Sequence, residues 1–162
     1  MNIAVFCSSS NNIAAHYRQS AFQLGELIAE SRNTLVFGGA TGGLMDSVAE
    51  GACSKNGQII GVIPHAVIKM NRQSNLSTQL ITVETMNERK AKMKALSDIF
   101  VVLPGSYGTL DEMLDIVASG IVGEHKKPLI IVNQNGFYNQ FLKQIDFMRS
   151  ESFIPVDRKS VV

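Results

Sequence analysis

The sequence predicts an α/β fold in which a mainly parallel sheet lies between two layers of helices. Three observations predict it. Short β-branched and aromatic runs such as Ile99 to Leu103 are apolar throughout, as strands buried on both faces must be. Stretches with apolar residues at helical spacing alternate with these runs. The connections are long enough for right-handed βαβ crossovers, which bring every strand exit to one edge of the sheet. With 162 residues, 45% of them hydrophobic, and no Pro/Gly/Ser-rich linker, the expectation is one domain over 1–162.

Taken in order, Asn2 to Phe6 is a first strand, followed by the polar loop Cys7 to Asn12. Tyr17, Ala21, Leu24 and Ile28 mark the inner side of a helix to about Ser31. Thr34 to Phe37 is a second strand, and Gly38-Gly39-Ala40-Thr41-Gly42-Gly43 leads into a helix through Leu44, Met45, Val48 and Ala52 that stops near Gly57. Gln58 to Ile63 is a third strand. His65 to Thr78 shows no period, and a connection of that length reads as a functional loop. Gln79 to Val83 is a strand, Met86 to Ser97 a helix and Asp98 to Leu103 the fifth strand. After the turn Gly105-Ser106-Tyr107-Gly108-Thr109, a helix carries Leu110, Met113, Leu114, Val117 and Ile121 on its apolar side. Pro128 to Val132 is the sixth strand. Asn135-Gly136 then turns the chain into a helix bearing Phe137, Phe141, Leu142, Ile145 and Met148, while Glu151 to Val162 lacks a strong period.

Composition removes several functions. A net charge of +1 with scattered basic residues gives no nucleic-acid footprint. The longest apolar runs are too short to span a membrane, and no basic leader precedes the first strand, so a cytoplasmic protein is expected. Cys7 and Cys53 form neither a CxxC nor a disulfide framework, and both read as small buried thiols. His16, His65 and His125 are isolated surface or loop residues, so no metal is expected. Gly38 to Gly43 has P-loop spacing, but Leu44 and Met45 stand where Lys and Ser or Thr are needed. GxGxxG and GxSxG are absent as well.

The remaining chemistry gathers at the glycine turns, because a turn that opens a helix bares backbone N–H groups at its positive end and suits a phosphate. Arg89 falls on the stripe made by Met86, Met93 and Leu96, so its guanidinium faces inward. It then either fixes the helix through a salt bridge or reaches a ligand phosphate, a ribose or an active-site carboxylate. Lys90 reaches solvent more easily. Glu112 has two readings: it completes a capping box with Thr109, or it lies within reach of a ribose whose phosphate sits at the turn. Asp111 and Asp115 read as a solvated face, and Met86 with Met93 as core.

At these residues the chain resembles the Lonely Guy family of cytokinin-activating nucleoside 5′-monophosphate phosphoribohydrolases, once labelled lysine decarboxylases. The family's PGGxGTxxE is matched by Pro104 to Glu112, and its methionine followed by RK by Met86-Asn87-Glu88-Arg89-Lys90. The similarity runs from Val5-Phe6-Cys7-Ser8-Ser9-Ser10 through Gly38 to Asp46 and Ile60 to Pro64 to Ser152-Phe153-Ile154-Pro155. The resemblance implies a Rossmann-like three-layer sandwich, a homodimer with the site near its interface, and Arg89 and Glu112 as the catalytic pair. It further implies substrate binding by Gly39, Thr41, Gly42, Lys90, Gly105, Ser106, Tyr107, Gly108 and Thr109.

That family's reaction is hydrolysis of the N-glycosidic bond of an adenine nucleoside 5′-monophosphate, with no cofactor, no nucleic acid and no membrane involved. The rival on the same scaffold is a non-catalytic nucleotide or molybdenum-cofactor carrier. Ser106 departs from the second motif glycine, Ser8 from a glycine after the first strand, Asn71 from a glutamate in the long loop, and Ala118-Ser119 from a Thr-Trp pair. The chain also lacks the helix with which many members finish. Lysine decarboxylation would need a Schiff-base lysine in a pyridoxal phosphate pocket, which these motifs do not supply.

Overall fold

The computed structural model describes residues 1–154. Its strands are β1 (Asn2–Phe6), β2 (Thr34–Phe37), β3 (Gln58–Pro64), β4 (Gln79–Val83), β5 (Ile99–Val102) and β6 (Leu129–Ile131). Its helices are α1 (Ala15–Glu30), α2 (Gly43–Ser54), α3 (His65–Lys69), α4 (Met86–Leu96), α5 (Tyr107–Ile121) and α6 (Asn139–Ser150). The strands form one sheet in the order β4-β3-β2-β1-β5-β6, with every pairing parallel. Successive strands run outward from β1 in one direction and then resume beside it at β5. The loops leaving β1 and β5 therefore part at this switch point, where open α/β sheets bind ligands.

The inner strands β1, β2, β3 and β5 bury side chains on both faces, and two cores result. One lies beneath α1 and α2 and is built on Leu35, Phe37, Leu44, Val48 and Ile59. The other lies beneath α4 and α5 and contains Phe100, Met93, Met113, Ile116 and Tyr138. Gly25 and Gly51 let α1 and α2 touch backbone to backbone, since an added Cβ would stand 2.1 Å from Val48 O and 2.0 Å from Phe22 O respectively.

The structure departs from the sequence reading at several points. α5 begins at Tyr107, so Gly108 and Thr109 belong to its first turn. Leu114 and Ile121, expected on the inner side, are 46% and 45% exposed, because the apolar stripe of α5 is wider than the surface it covers. Cys53 is exposed, on the outer side of α2, while Cys7 is buried. His125 is half-buried, its Nε2 beside Ile116 O and Ser119 Oγ. The loop after β3 opens with the short α3. The last helix starts at Asn139 after a single 3-10 turn, and its anchor is Tyr138, whose hydroxyl donates to Leu103 O at 2.8 Å. Of the expected aperiodic tail, Pro155 to Val162 lies outside the described residues.

Candidate active site

A cavity of ≈ 180 Å³ opens at the switch point, lined from β1 by Cys7, Ser8 and Ser9, from β2 by Gly38 and Ala40, and from α5 by Ser106, Gly108, Thr109 and Glu112. Met45, Pro64, Val67, Arg72, Met86 and Arg89 complete it. The exits of β1, β2, β3, β4 and β5 thus meet at one hollow. A second cleft of ≈ 320 Å³ adjoins it through Ser8 and Ser106 and has a more aromatic wall, with Tyr17 and Phe137.

Arg89 and Glu112 are the buried charges of the cavity, 5% and 4% exposed. Arg89 enters from α4, where Thr85 caps the first turn by accepting from Glu88 N at 3.1 Å. Its Nε donates to Val62 O at 3.1 Å and its Nη1 to Glu112 Oε1 at 2.5 Å. Gly38 makes room for this side chain, since a Cβ there would lie 2.0 Å from Arg89 Nη2. Glu112 therefore does not cap its helix. Ser106 occupies the cap position, Thr109 lies inside the first turn, and the carboxylate turns toward the arginine. Burial raises the Glu112 pKa above its ordinary 4.5, and the Arg89 guanidinium opposes part of that rise. Burial also drives the Cys7 thiol far up, with Glu112 adding to the effect, so Cys7 is a neutral wall of the cavity.

The two helix N-termini differ. At α2 the amides of Gly42, Gly43 and Leu44 are already used: Gly42 N bonds Asp46 Oδ2 at 2.7 Å, Gly43 N bonds Asn11 Oδ1 at 3.0 Å, and Leu44 N bonds Ser8 O at 2.9 Å. Thr41 N is likewise bonded to Arg72 O at 2.7 Å. Gly39 and Gly42 adopt φ of 67° and 110°, which shapes the turn. At α5 the first intrahelical bond is Leu110 N to Ser106 O, and the amides of Tyr107, Gly108 and Thr109 have no acceptor among the described residues. Among the described residues nothing lies within 4 Å of a Cβ built on Gly108.

Of the residues expected to bind substrate, Ser106, Gly108 and Thr109 line the cavity. Gly105 packs under Thr109, and its own Cβ would stand 2.0 Å from Thr109 Oγ1. Tyr107 is 91% exposed. Lys90 is absent from the cavity lining and, contrary to the expectation that it reaches solvent, its side chain is only 14% exposed, its Nζ 3.0 Å from Asp111 Oδ1 and 3.7 Å from Asp115 Oδ1. Asp111 lies on the solvated face as expected, 56% exposed, and Asp115 is half-buried; both also pair with Lys90. Met86 is not core: it is 48% exposed and rims the cavity, while Met93 is fully buried. Arg72 joins the cavity from the aperiodic loop, where no period or motif marks it in the sequence. Among the described residues no lysine lines the cavity, so they offer no amine for a Schiff base there.

The family described as "Possible lysine decarboxylase" matches residues 45–162. The cytokinin riboside 5′-monophosphate phosphoribohydrolase LOG of Oryza sativa subsp. japonica is 37% identical over 160 residues, covering 99% of this chain and 66% of the rice protein. LOG7 of Arabidopsis thaliana, which carries the same enzyme name, is 37% identical over 161 residues, with 99% and 74% covered. The chain thus spans about two thirds to three quarters of these relatives. Among solved structures, the molybdenum cofactor binding protein from Rippkaea orientalis superposes with a TM-score of 0.71 at 24% identity, covering 93% of this chain and 84% of that one. The Moco carrier protein of Chlamydomonas rheinhardtii superposes with a TM-score of 0.67 at 22% identity, covering 90% and 84%. At such identities the carriers share the fold. The sequence relatives are 37% identical over nearly the whole chain, and on that ground, with the family match over residues 45–162, the chain belongs to the Lonely Guy family.

Proposed function

We propose that this protein hydrolyses the N-glycosidic bond of adenine-type nucleoside 5′-monophosphates, cytokinin ribotides among them, to release the free base and ribose 5-phosphate. The observation that carries this reading is the buried Arg89–Glu112 pair in the same cavity as the free first-turn amides of α5. The phosphate is held by the amides of Tyr107, Gly108 and Thr109 at the positive end of that helix. Glu112 lies on the same helix, one turn further along, which places a carboxylate near the ribose joined to that phosphate. Its Oε1 accepts from Arg89, and no hydrogen bond to its Oε2 is present among the described residues. Oε2 stabilises the oxocarbenium-like charge at the anomeric carbon and orients the attacking water. Arg89 fixes the carboxylate in that position.

The hollow is small beside the about 300–1,000 Å³ usual for ligand pockets, which suits a sugar phosphate inside and a base at the rim formed by Pro64, Val67 and Met86. Incubation with N6-isopentenyladenosine monophosphate and with AMP, following ribose 5-phosphate, tests the reaction. A nucleotide complex that never turns over would establish a carrier instead.

The finer expectations belong to the same proposal. A homodimer is supported by the exposed apolar residues Leu114, Ile121 and Val122 on and beyond α5, and light scattering after size exclusion decides it. A cytoplasmic setting agrees with two free cysteines and with the absence, among the described residues, of any helix long and apolar enough to cross a membrane.

A further inference from the structure

We infer that Arg72 reads the charge of the substrate's phosphoryl group and so separates nucleoside monophosphates from unphosphorylated nucleosides, an inference that rests on the function proposed above. Arg72 follows α3 in the loop before β4 and is half-buried in the wall of the cavity. Its position is built rather than incidental. Thr41 N donates to Arg72 O at 2.7 Å, Arg72 Nη2 donates to Thr41 O at 3.0 Å, Ala40 bridges Gln73 in antiparallel fashion, and Ser74 N donates to Gly39 O at 2.9 Å. The loop is thereby stapled to the glycine turn, with the guanidinium beside Gly42, whose added Cβ would stand 3.4 Å from Nη2.

The charges of the cavity leave Arg72 a specific task. Arg89 is neutralised by Glu112, and Asp46 is engaged with Gly42 N. Arg72 forms no ion pair among the described residues, and one hydrogen bond leaves most of its fork of donors unspent. A nucleoside monophosphate brings two negative charges, while the first turn of α5 offers only about half a positive charge. The amides of Gly42, Gly43 and Leu44 at α2 cannot add to it, because Asp46, Asn11 and Ser8 already hold them. The missing positive charge is the guanidinium of Arg72, whose planar fork matches phosphoryl oxygens.

The test compares wild type, Arg72→Gln and Arg72→Lys in steady-state hydrolysis of AMP, with ribose 5-phosphate as a competing product and adenosine as the uncharged control. In Arg72→Gln, the KM for AMP and the inhibition constant of ribose 5-phosphate rise together by about 10- to 100-fold, the range for a lost hydrogen bond to a charged group. The loss falls on KM rather than kcat, adenosine is handled as by wild type, and Arg72→Lys recovers part of the affinity. Added KCl weakens wild-type binding more than that of Arg72→Gln. Unchanged constants in Arg72→Gln, while wild type hydrolyses AMP, overturn this inference and leave the proposed function standing. Equal losses in both variants with a lowered melting temperature mark a merely structural arginine and also overturn it. A wild-type protein that neither binds nor hydrolyses any nucleoside monophosphate overturns both readings.

Discussion

Arg89 Nη1 and Glu112 Oε1 meet at 2.5 Å across the seam between α4 and α5, 23 residues apart in sequence and both buried. Breaking such a pair leaves a charge stranded without water, which costs about 3–5 kcal/mol. Arg89→Met is therefore expected to lower the unfolding free energy by about that amount at pH 7, read from urea midpoints. The loss shrinks at acidic pH, where the orphaned Glu112 takes up a proton.

Glu112→Gln keeps the shape and one acceptor but removes the negative charge. Turnover is expected to fall by about 10²-fold or more, as when an electrostatic stabiliser is removed, with AMP still bound at near wild-type affinity. Isothermal titration beside a ribose 5-phosphate assay checks both, and release equal to wild type would take the glutamate out of the mechanism.

The pH dependence follows from burial. Glu112 acts ionised, and its pKa lies above the ordinary 4.5 because desolvation outweighs the pull of Arg89. The acid limb of kcat/KM is therefore expected above the range of an exposed glutamate. Stability runs the other way. The folded state binds this proton more tightly than the unfolded chain, so the contribution of Glu112 is present below pH 4.5 and is lost as pH rises through its raised pKa. Measuring both profiles in wild type and Glu112→Gln isolates the group.

Gly38→Ala tests the passage of Arg89. The new methyl would sit 2.0 Å from Nη2, so the guanidinium must move although the fold need not. A fall in kcat/KM of about 10²-fold with unchanged circular dichroism is expected, the cost of misplacing a catalytic group by about 1 Å.

Gly108→Ala separates stability from binding. The position is in the first turn of α5 with open space around it, so alanine should stabilise the helix by about 0.5–1 kcal/mol. The same methyl projects into space beside the free amides and should weaken AMP binding. A rise in melting temperature together with a higher KM is the expected outcome.

Much of this was readable from the chain. The run Ile99 to Leu103 and its companions announce strands covered on both faces, and their alternation with helices places all strand exits on one edge. The inward direction of Arg89 follows from its place on the stripe with Met93, which is fully buried. Period alone misjudged Met86, because the end of α4 projects past the sheet to the cavity rim. Spacing could not decide Glu112, since the Thr109 to Glu112 pattern fits a cap as well as an ion pair. The start of α5 at Tyr107 removed the cap.

The sequence by itself determined the layered α/β plan, the glycine turns and the residue types brought to one edge, because periodicity and turn chemistry are local properties. Only the tertiary structure decided which turn keeps its amides free, that Lys90 belongs to Asp111 and Asp115, and that Arg72 shares a cavity with Glu112. Those outcomes depend on which distant groups claim each donor and each charge first, and competition between residues far apart in sequence leaves no period to read.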